Sequence, residues 1–539
     1  MSVSFQHIIE GHCYFNKNGK WVARKKSPNA VVVEDCLTGM RAEWSEKQWN
    51  LKGLEDIDSC NDPLIKITSS NDDIVGESRN IEDGKTSIIS QQISKSIFNN
   101  VTMSNLTIGT KINLSDGSTA VIKSKLGEGG QGVVYLVTLS NGMDMALKCY
   151  TSPPKSGFFD NLKKISAQKA PSPAFLWPKY IAMLNGEECG YVMDLMPQGY
   201  YDFGDFFSAG YDGKVKANFS SFGAKVQAAI NICNAFRQLH IQGLSYQDLN
   251  DGSFLINPNN GDVRICDNDN VCANNHSVTY IMGKSRYMAA EVINGETFPN
   301  TNSDRLSLAI ILYRLFMLDH PFEGESIIKI PCLTNDVERR KYGKEAVFVY
   351  DPSDDSNRPN PYIHRNSCLF WNYCSESLKQ KFQKALSHQA IINPLERVSA
   401  KEWKELFLAL RRNLIVCPNS PKDKDHDFLS DGIVHVCPRC KDQIVINTSL
   451  HFSDGTDYIV TPHKLIYIGD EMNPIARGVT KVNDNGIKEL GLQNMSNYTW
   501  NVQTPKGNIK QVEPQKAMPL RNGMQIRFRG DCACKVNVF

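Results

Sequence analysis

The sequence predicts an α+β chain of several domains, and three observations carry that prediction. Short strands around Ala120-Val121-Ile122 and Met145-Ala146-Leu147-Lys148 flank a glycine-rich turn, so the middle of the chain opens as a sheet. Val226, Ile230, Cys233 and Phe236 then mark one face at helical spacing, and Leu306 to Leu318 reads as a buried helix. From Gln443 onward only strand-like runs recur, separated by turn residues. A length of 539 residues exceeds one ordinary domain. The chain is 41% hydrophobic and 22% charged, a globular composition, and its 60 basic and 58 acidic residues nearly cancel. That balance argues against a nucleic-acid partner. The longest apolar run carries Arg314, so no membrane partner is expected. The opening MSVSFQHIIEGH lacks a basic start before an apolar core, so the 16 cysteines read as reduced thiols of a cytoplasmic protein.

Taken in order, residues 1–53 form a small β-rich unit, with a hairpin signal where Asn18-Gly19 separates Cys13-Tyr14-Phe15 from Trp21-Val22-Ala23. Residues 54–104 are rich in Ser, Asn and Asp and read as a flexible linker, because so little apolar surface cannot offset the entropy of ordering. Residues 105–412 are the patterned domain. Its turn reads Gly127-Glu128-Gly129-Gly130-Gln131-Gly132 and runs into Val133-Val134-Tyr135, a strand rather than the helix that follows such glycines in dinucleotide folds. Glycines suit a phosphate site because no Cβ keeps the backbone N–H groups away. Lys148 follows on a second strand, within reach of phosphate oxygens under the loop. Further on, Asp248 precedes the strand Phe254-Leu255-Ile256, Asn259-Asn260-Gly261 turns the chain, and Val263 to Cys266 leads into Asp267. Such a hairpin can place both carboxylates in one cleft.

These motifs resemble the protein kinase family, in the family's order. Gly127, Gly129, Gly130, Gln131, Gly132 and Val134, then Ala146 and Lys148, are similar to its nucleotide loop and strand lysine. Tyr246-Gln247-Asp248-Leu249 stands in the place of His-Arg-Asp-Leu, Asp267-Asn268-Asp269 in that of Asp-Phe-Gly, and Met288-Ala289-Ala290-Glu291 in that of Ala-Pro-Glu. Asp304 resembles the buried aspartate that braces the catalytic loop, and Arg397 the arginine that pairs with Glu291. The resemblance implies a bilobal kinase-like fold over residues 105–412, ATP and Mg2+ as cofactors, and a protein substrate phosphorylated on Ser or Thr. It implies Asp248 as base, Lys148 on the α/β-phosphates, Asp267 and Ser253 on magnesium, and the hinge backbone near Asp194 on adenine. The wording of Phe175-Leu176-Trp177-Pro178 and Asn250-Asp251-Gly252 further resembles bacterial kinases of tellurium-resistance-like triads, with a metal-dependent phosphatase and a von Willebrand A protein as partners.

Four departures from the family stand out. Asn250 replaces the lysine two residues after the catalytic aspartate, Ser253 replaces asparagine with Asn250, Asp251 or Asp269 open as compensating donors, Asn268-Asp269 replaces Phe-Gly, and Gln247 replaces arginine. Asn250 and Ser253 support the alternative of a pseudokinase scaffold that assembles a phosphatase-containing complex. The helix that should offer Lys148 an acid contains only Asp160, for which capping and pairing are both open. Glu187 and Glu188 read as solvated, and so does the stretch Tyr350 to Asp355.

Residues 413–442 read as a zinc knuckle. Cys437-Pro438-Arg439-Cys440 presents two thiolates on one turn, and Cys417 with His426 completes a structural Zn2+ set; His435 is assigned to a strand instead. Residues 443–539 read as a small β-sandwich, with strands at Ile444-Val445-Ile446, Leu465 to Ile468, Tyr498 to Val502 and Gln525 to Phe528. Leu490 to Asn494 and Leu520 to Ile526 weakly resemble a forkhead-associated domain, without its phosphothreonine-binding elements.

Overall fold

The computed structural model describes residue 6, parts of 13–56, and residues 106–208, 214–276, 283–419, 427–429, 435–469, 471–482 and 488–539. In the N-terminal unit, β1 (Cys13–Asn16), β2 (Gly19–Lys26), β3 (Ala30–Asp35), β4 (Arg41–Ser45) and β5 (Glu55–Asp56) form one sheet in the order β4-β3-β2-β1-β5. The hairpin stands where Asn18-Gly19 predicted it, with Gly19 already paired to Asn16. Because Glu55 pairs with Phe15, this unit runs past the expected boundary at residue 53. The rest of the expected linker lies outside the described residues.

The central domain opens with six antiparallel strands: β6 (Lys111–Leu114), β7 (Thr119–Glu128), β8 (Gly132–Leu139), β9 (Asp144–Tyr150), β10 (Tyr180–Leu184) and β11 (Glu187–Met193). They close into a barrel when Ala182 on β10 pairs with Leu114 on β6. Alternation of buried and half-exposed residues along β8 sends Val133, Tyr135 and Val137 inward to meet Ile112, Ile122 and Leu147. Between β9 and β10 lies a single short helix, α1 (Phe158–Ser166), which buries Phe158, Leu162 and Ile165. The indole of Trp177 donates to the carbonyl of Ile165 at 2.9 Å, beside the Gln168 N–H that caps the same oxygen at 3.0 Å.

Below the barrel, β12 (Tyr201–Asp202) leads to the long helix α2 (Phe222–Ile241), then β13 (Leu244–Ser245), β14 (Phe254–Ile256), β15 (Val263–Ile265) and β16 (Cys272–Ala273). β14 and β15 form the expected hairpin, Phe254 opposite Ile265, and β13 pairs with β16. The apolar helix is α3 (Thr301–Met317), started by a capping box in which Asn300 accepts from Ser303 N and Ser303 answers the Asn300 N–H. α4 (Ala400–Asn413) closes the domain, with Trp403 and Phe407 stacked on the core beside Phe316 and Phe382. Tyr350 stacks on Trp371 at 4.1 Å and Asp351 is buried, so the stretch expected as solvated is packed at its start and exposed only from Pro352 to Ser356.

Beyond α4, Gln443–Ile444 pairs with His435–Val436 rather than with later strands, so the expected sandwich strand belongs to the cysteine unit. A six-stranded and a four-stranded sheet follow and share one core containing Leu450, Ile466, Leu492, Trp500 and Ile526. Cys532 and Cys534 form no disulfide. Among the described residues no helix is long and apolar enough to cross a membrane.

Candidate functional site

The glycine-rich turn links β7 to β8, closed by Gly129 N–H donating to the Gly132 carbonyl at 2.9 Å. Its glycines are not equivalent. A Cβ at Gly132 would stand 2.2 Å from the carbonyl oxygen of Cys149, so β8 reaches β9 only because that atom is missing. At Gly127, Gly129 and Gly130 a Cβ would meet open space, which leaves the hairpin's upper surface clear. Val134 pairs with Lys148 in register, and Ala146 pairs with Met193 at the end of β11. Asp194 is the next residue; its carboxylate is exposed and held by Lys179 at 2.6 Å.

Lys148 is buried, and its Nζ donates to Asp267 Oδ1 at 2.9 Å and to Asp269 at 3.1 and 2.9 Å. Burial works to lower its pKa, but the Asp269 and Asp267 carboxylates outweigh that and raise it. Asp269, expected at most as a spare magnesium donor, is the partner of Lys148 that motif matching missed. It is 1% exposed, accepts from Tyr150 Oη at 2.7 Å and Tyr191 Oη at 3.3 Å, and so holds the lysine from below while two tyrosines hold it. Burial first, then the Asp269 charge, raises both phenols far above their ordinary range, so they remain donors. Asp160 does not take this role: it is 75% exposed and lies 3.8 Å from Lys163. Lys163 in turn holds Glu188 at 2.5 Å, so Glu188 is anchored, not merely solvated. The only sequence signal for Asp269 was an acid where the family carries glycine.

The catalytic-loop residues are fixed from behind. Asp304 Oδ2 accepts from the Tyr246 N–H at 2.9 Å and stands 3.0 Å from His240 Nε2, bracing the loop as the resemblance implied. Gln247 and Asp267 both have positive φ, 69° and 54°, a strained backbone of the kind that collects where side chains must be aimed. Gln247 Nε2 donates to the His276 carbonyl, so the arginine position ties down the next segment's start without a phosphate. Asn268 is fully buried and donates to the carbonyls of Leu176 at 2.8 Å and Ile265 at 2.9 Å, which pins the turn that carries Asp267. Burial raises the Asp248 carboxyl above its usual range, opposed by the Asn250 amide at 3.0 Å from Oδ1 and by the charge of Lys284. Ser253 is buried with its hydroxyl in a capping box, 3.3 Å from Asn250 N and 3.4 Å from the Asp248 carbonyl. Glu291 and Arg397 form a buried two-point ion pair at 2.6 and 2.7 Å.

In the cysteine unit the Sγ atoms of Cys417, Cys437 and Cys440 lie within 4.8 Å of one another, and Lys441 N–H donates to the Cys437 carbonyl at 2.9 Å across the knuckle turn. His426 lies outside the described residues, and His435 sits on a strand as expected. A cavity of about 700 Å³ between α2 and this unit is lined by Phe219, Lys225, Phe370, Phe428 and Cys437; none of the described residues expected to handle phosphate borders it.

The glycine-rich hairpin, Lys148, the braced loop at Asp248 and the aspartate at 267 all fall inside the part of the sequence that matches a known domain. The sequence profile of the protein kinase domain fits residues 120–406, slightly more than half of the chain. A protein of Pyricularia oryzae described as glycogen synthase kinase 1 is 25% identical over 210 residues, which cover 37% of this chain and 51% of that one. This chain therefore aligns with about half the length of that relative. With barrel, catalytic-loop brace and Glu291–Arg397 pair agreeing with the profile, the chain belongs to the protein kinase superfamily.

Proposed function

We propose that this protein transfers the γ-phosphoryl group of ATP to a Ser or Thr hydroxyl of a protein substrate. The observation that carries the reading is the meeting of Lys148 with Asp267 across 119 residues, in the cleft under the glycine-rich hairpin. Phosphoryl transfer asks for positioning and charge compensation rather than covalent chemistry by the protein. Bound ATP supplies the group: the acceptor oxygen–Pγ bond forms as the bond to the β–γ bridging oxygen breaks, its electron pair leaving with ADP. Asp248 accepts the hydroxyl proton, and its raised pKa makes it a better acceptor than an ordinary carboxylate. Lys148 binds α/β-phosphate oxygens, and the hinge backbone at Asp194 binds the adenine beside Ala146 and Val134. The donor set suits magnesium: Asp267 is 46% exposed and offers hard oxygen to the cleft. Ser253 is a second donor once its 3.4 Å bond to the Asp248 carbonyl is released.

Two thiolates on a tight turn with a third from Cys417 suit tetrahedral zinc, and we assign His426 as the fourth ligand of a closed structural site. The two C-terminal sheets we read as a protein-binding or purely structural sandwich. Partnership with a phosphatase and a von Willebrand A protein rests on motif resemblance alone. The test is transfer from radiolabelled ATP by full-length protein beside Asp248→Asn, with phosphoamino-acid analysis of the product. Label on Ser or Thr that falls about 10²-fold or more in the variant is expected for loss of a general base. Equal labelling in both sinks the reading. ATP-induced stabilisation without any transfer returns the scaffold alternative.

A further inference from the structure

The catalytic loop lacks its usual cation because Asn250 is neutral, and the amide is committed elsewhere. Its Nδ2 donates to the backbone oxygen and Oδ1 of Asp248, both at 3.0 Å, and its Oδ1 accepts from Gly252 N at 3.0 Å. A different segment brings a charge to the same place. Gly283 crosses the loop so closely that a Cβ on it would stand 3.4 Å from Asp248 Oδ1, and its φ of +90° admits glycine with least strain. The next residue is Lys284, whose Nζ lies 3.4 Å from Asp251 Oδ1 and 3.9 Å from where a Cβ on Gly252 would be. Lys284 therefore leans over the same three-residue stretch from which the family's lysine would rise.

Its charge is not consumed there. Asp251 already has a shorter partner, the half-buried Arg314, at 2.9 Å from Oδ2. One carboxylate faces two cations, and the arginine is the fixed one. Lys284 is 60% exposed, on a flexible stem, at the long edge of ion-pair distance. It can leave Asp251 for a stronger anion without exposing a buried charge.

We propose that Lys284 supplies the transferring phosphoryl group with the cation that Asn250 cannot. This rests on the reading of Asp248 as base. In the step, the acceptor oxygen bonds Pγ, the Pγ–bridging-oxygen bond breaks with its electron pair to ADP, and the hydroxyl proton goes to Asp248. Lys284 keeps its protons and contributes only charge and hydrogen bonds to the equatorial oxygens, where charge is densest during transfer.

The experiment measures initial rates of label transfer to casein and of ADP release by full-length protein with magnesium and ATP. Wild type is set beside Lys284→Met, Lys284→Arg, the double variant Asn250→Lys/Lys284→Met, and Asp248→Asn. Lys284→Met should lower kcat about 10²-fold, the size of losing one transition-state donor, with KM for ATP within about twofold. Lys284→Arg should keep at least a tenth of the wild-type rate, and the double variant should run at least tenfold faster than Lys284→Met by returning the cation to the loop. A Lys284→Met rate within threefold of wild type, equal loss in Met and Arg, or no recovery in the double variant overturns the proposal. If wild type is no faster than Asp248→Asn, the base reading itself fails and the role of Lys284 falls with it.

Discussion

Lys148 has three hydrogen bonds to carboxylates and buries its charge, so its fate depends on which acid carries the partnership. Asp267 is half open to the cleft and, in the proposed reaction, holds metal; Asp269 is sealed and bound by two tyrosines. The sealed acid is therefore the positioning residue. Hydrogen bonds to a charged group contribute about 1.5–3 kcal/mol, so Asp269→Asn should lower kcat/KM for ATP about 10- to 100-fold. Asp160→Asn should change it by less than about twofold, since Asp160 touches only exposed Lys163. Steady-state kinetics of the two variants check both; equal loss in both would return the role to α1. Lys148, Asp248 and Asp267 were legible in the sequence because motif spacing survives along the chain. Asp269 and Lys284 were not, because nothing linear says which side chain folding will seal or which segment will cross another.

At the scale of elements, α1 is short and brings no acid to Lys148, yet it is fastened to the site by Asn161, whose amide donates to the Val271 carbonyl at 2.8 Å. A helix held by such a bond and by Phe158, Leu162 and Ile165 has little freedom to swing a partner toward or away from Lys148. Helix α2 begins with two caps. Ser221 accepts from Ala224 N, and Asp427, 204 residues on, accepts from Phe222 and Gly223 N–H groups, placing an anion on the helix N-terminus. Asp427 comes from the cysteine unit, so the proposed zinc and α2 are linked. Metal analysis should find one zinc per chain, and Cys437→Ser should lose it. Thermal unfolding of that variant should begin at lower temperature, with about 1 kcal/mol attributable to loss of the α2 cap. A protein that purifies with full stability and no metal would refute the zinc assignment. The cysteine pair and the helical stripe of α2 were readable locally; the Asp427 cap needed the fold.

For the whole molecule, the central domain and the C-terminal sheets meet through buried charge. Arg411 donates to Gln227 Oε1 at 2.6 Å and to the carbonyls of Gly469 and Glu471 at 2.8 and 3.2 Å, over the ring of Tyr467. Beside it Lys464 is buried and donates to the Arg412 carbonyl, and burial pushes its pKa down to about 7. Between that value and the ordinary lysine range the unfolded chain binds the extra proton. Stability should therefore rise with pH through this window, by up to ~1.4 kcal/mol per unit, and be flat below it. Lys464→Met should remove the slope and stabilise the protein near pH 7, as urea unfolding at several pH values will show; an unchanged slope would place the titration elsewhere. Legible in the linear chain were the glycine-rich hairpin, the hairpin that brings Asp248 and Asp267 together and the Glu291–Arg397 match, because period, turn chemistry and spacing are local properties. The partners emerge only on folding: Asp269 rather than Asp160 for Lys148, Lys284 over Asn250, Asp427 on α2. The physical reason is that an ion pair's strength depends on distance and desolvation, and both exist only after remote segments have packed.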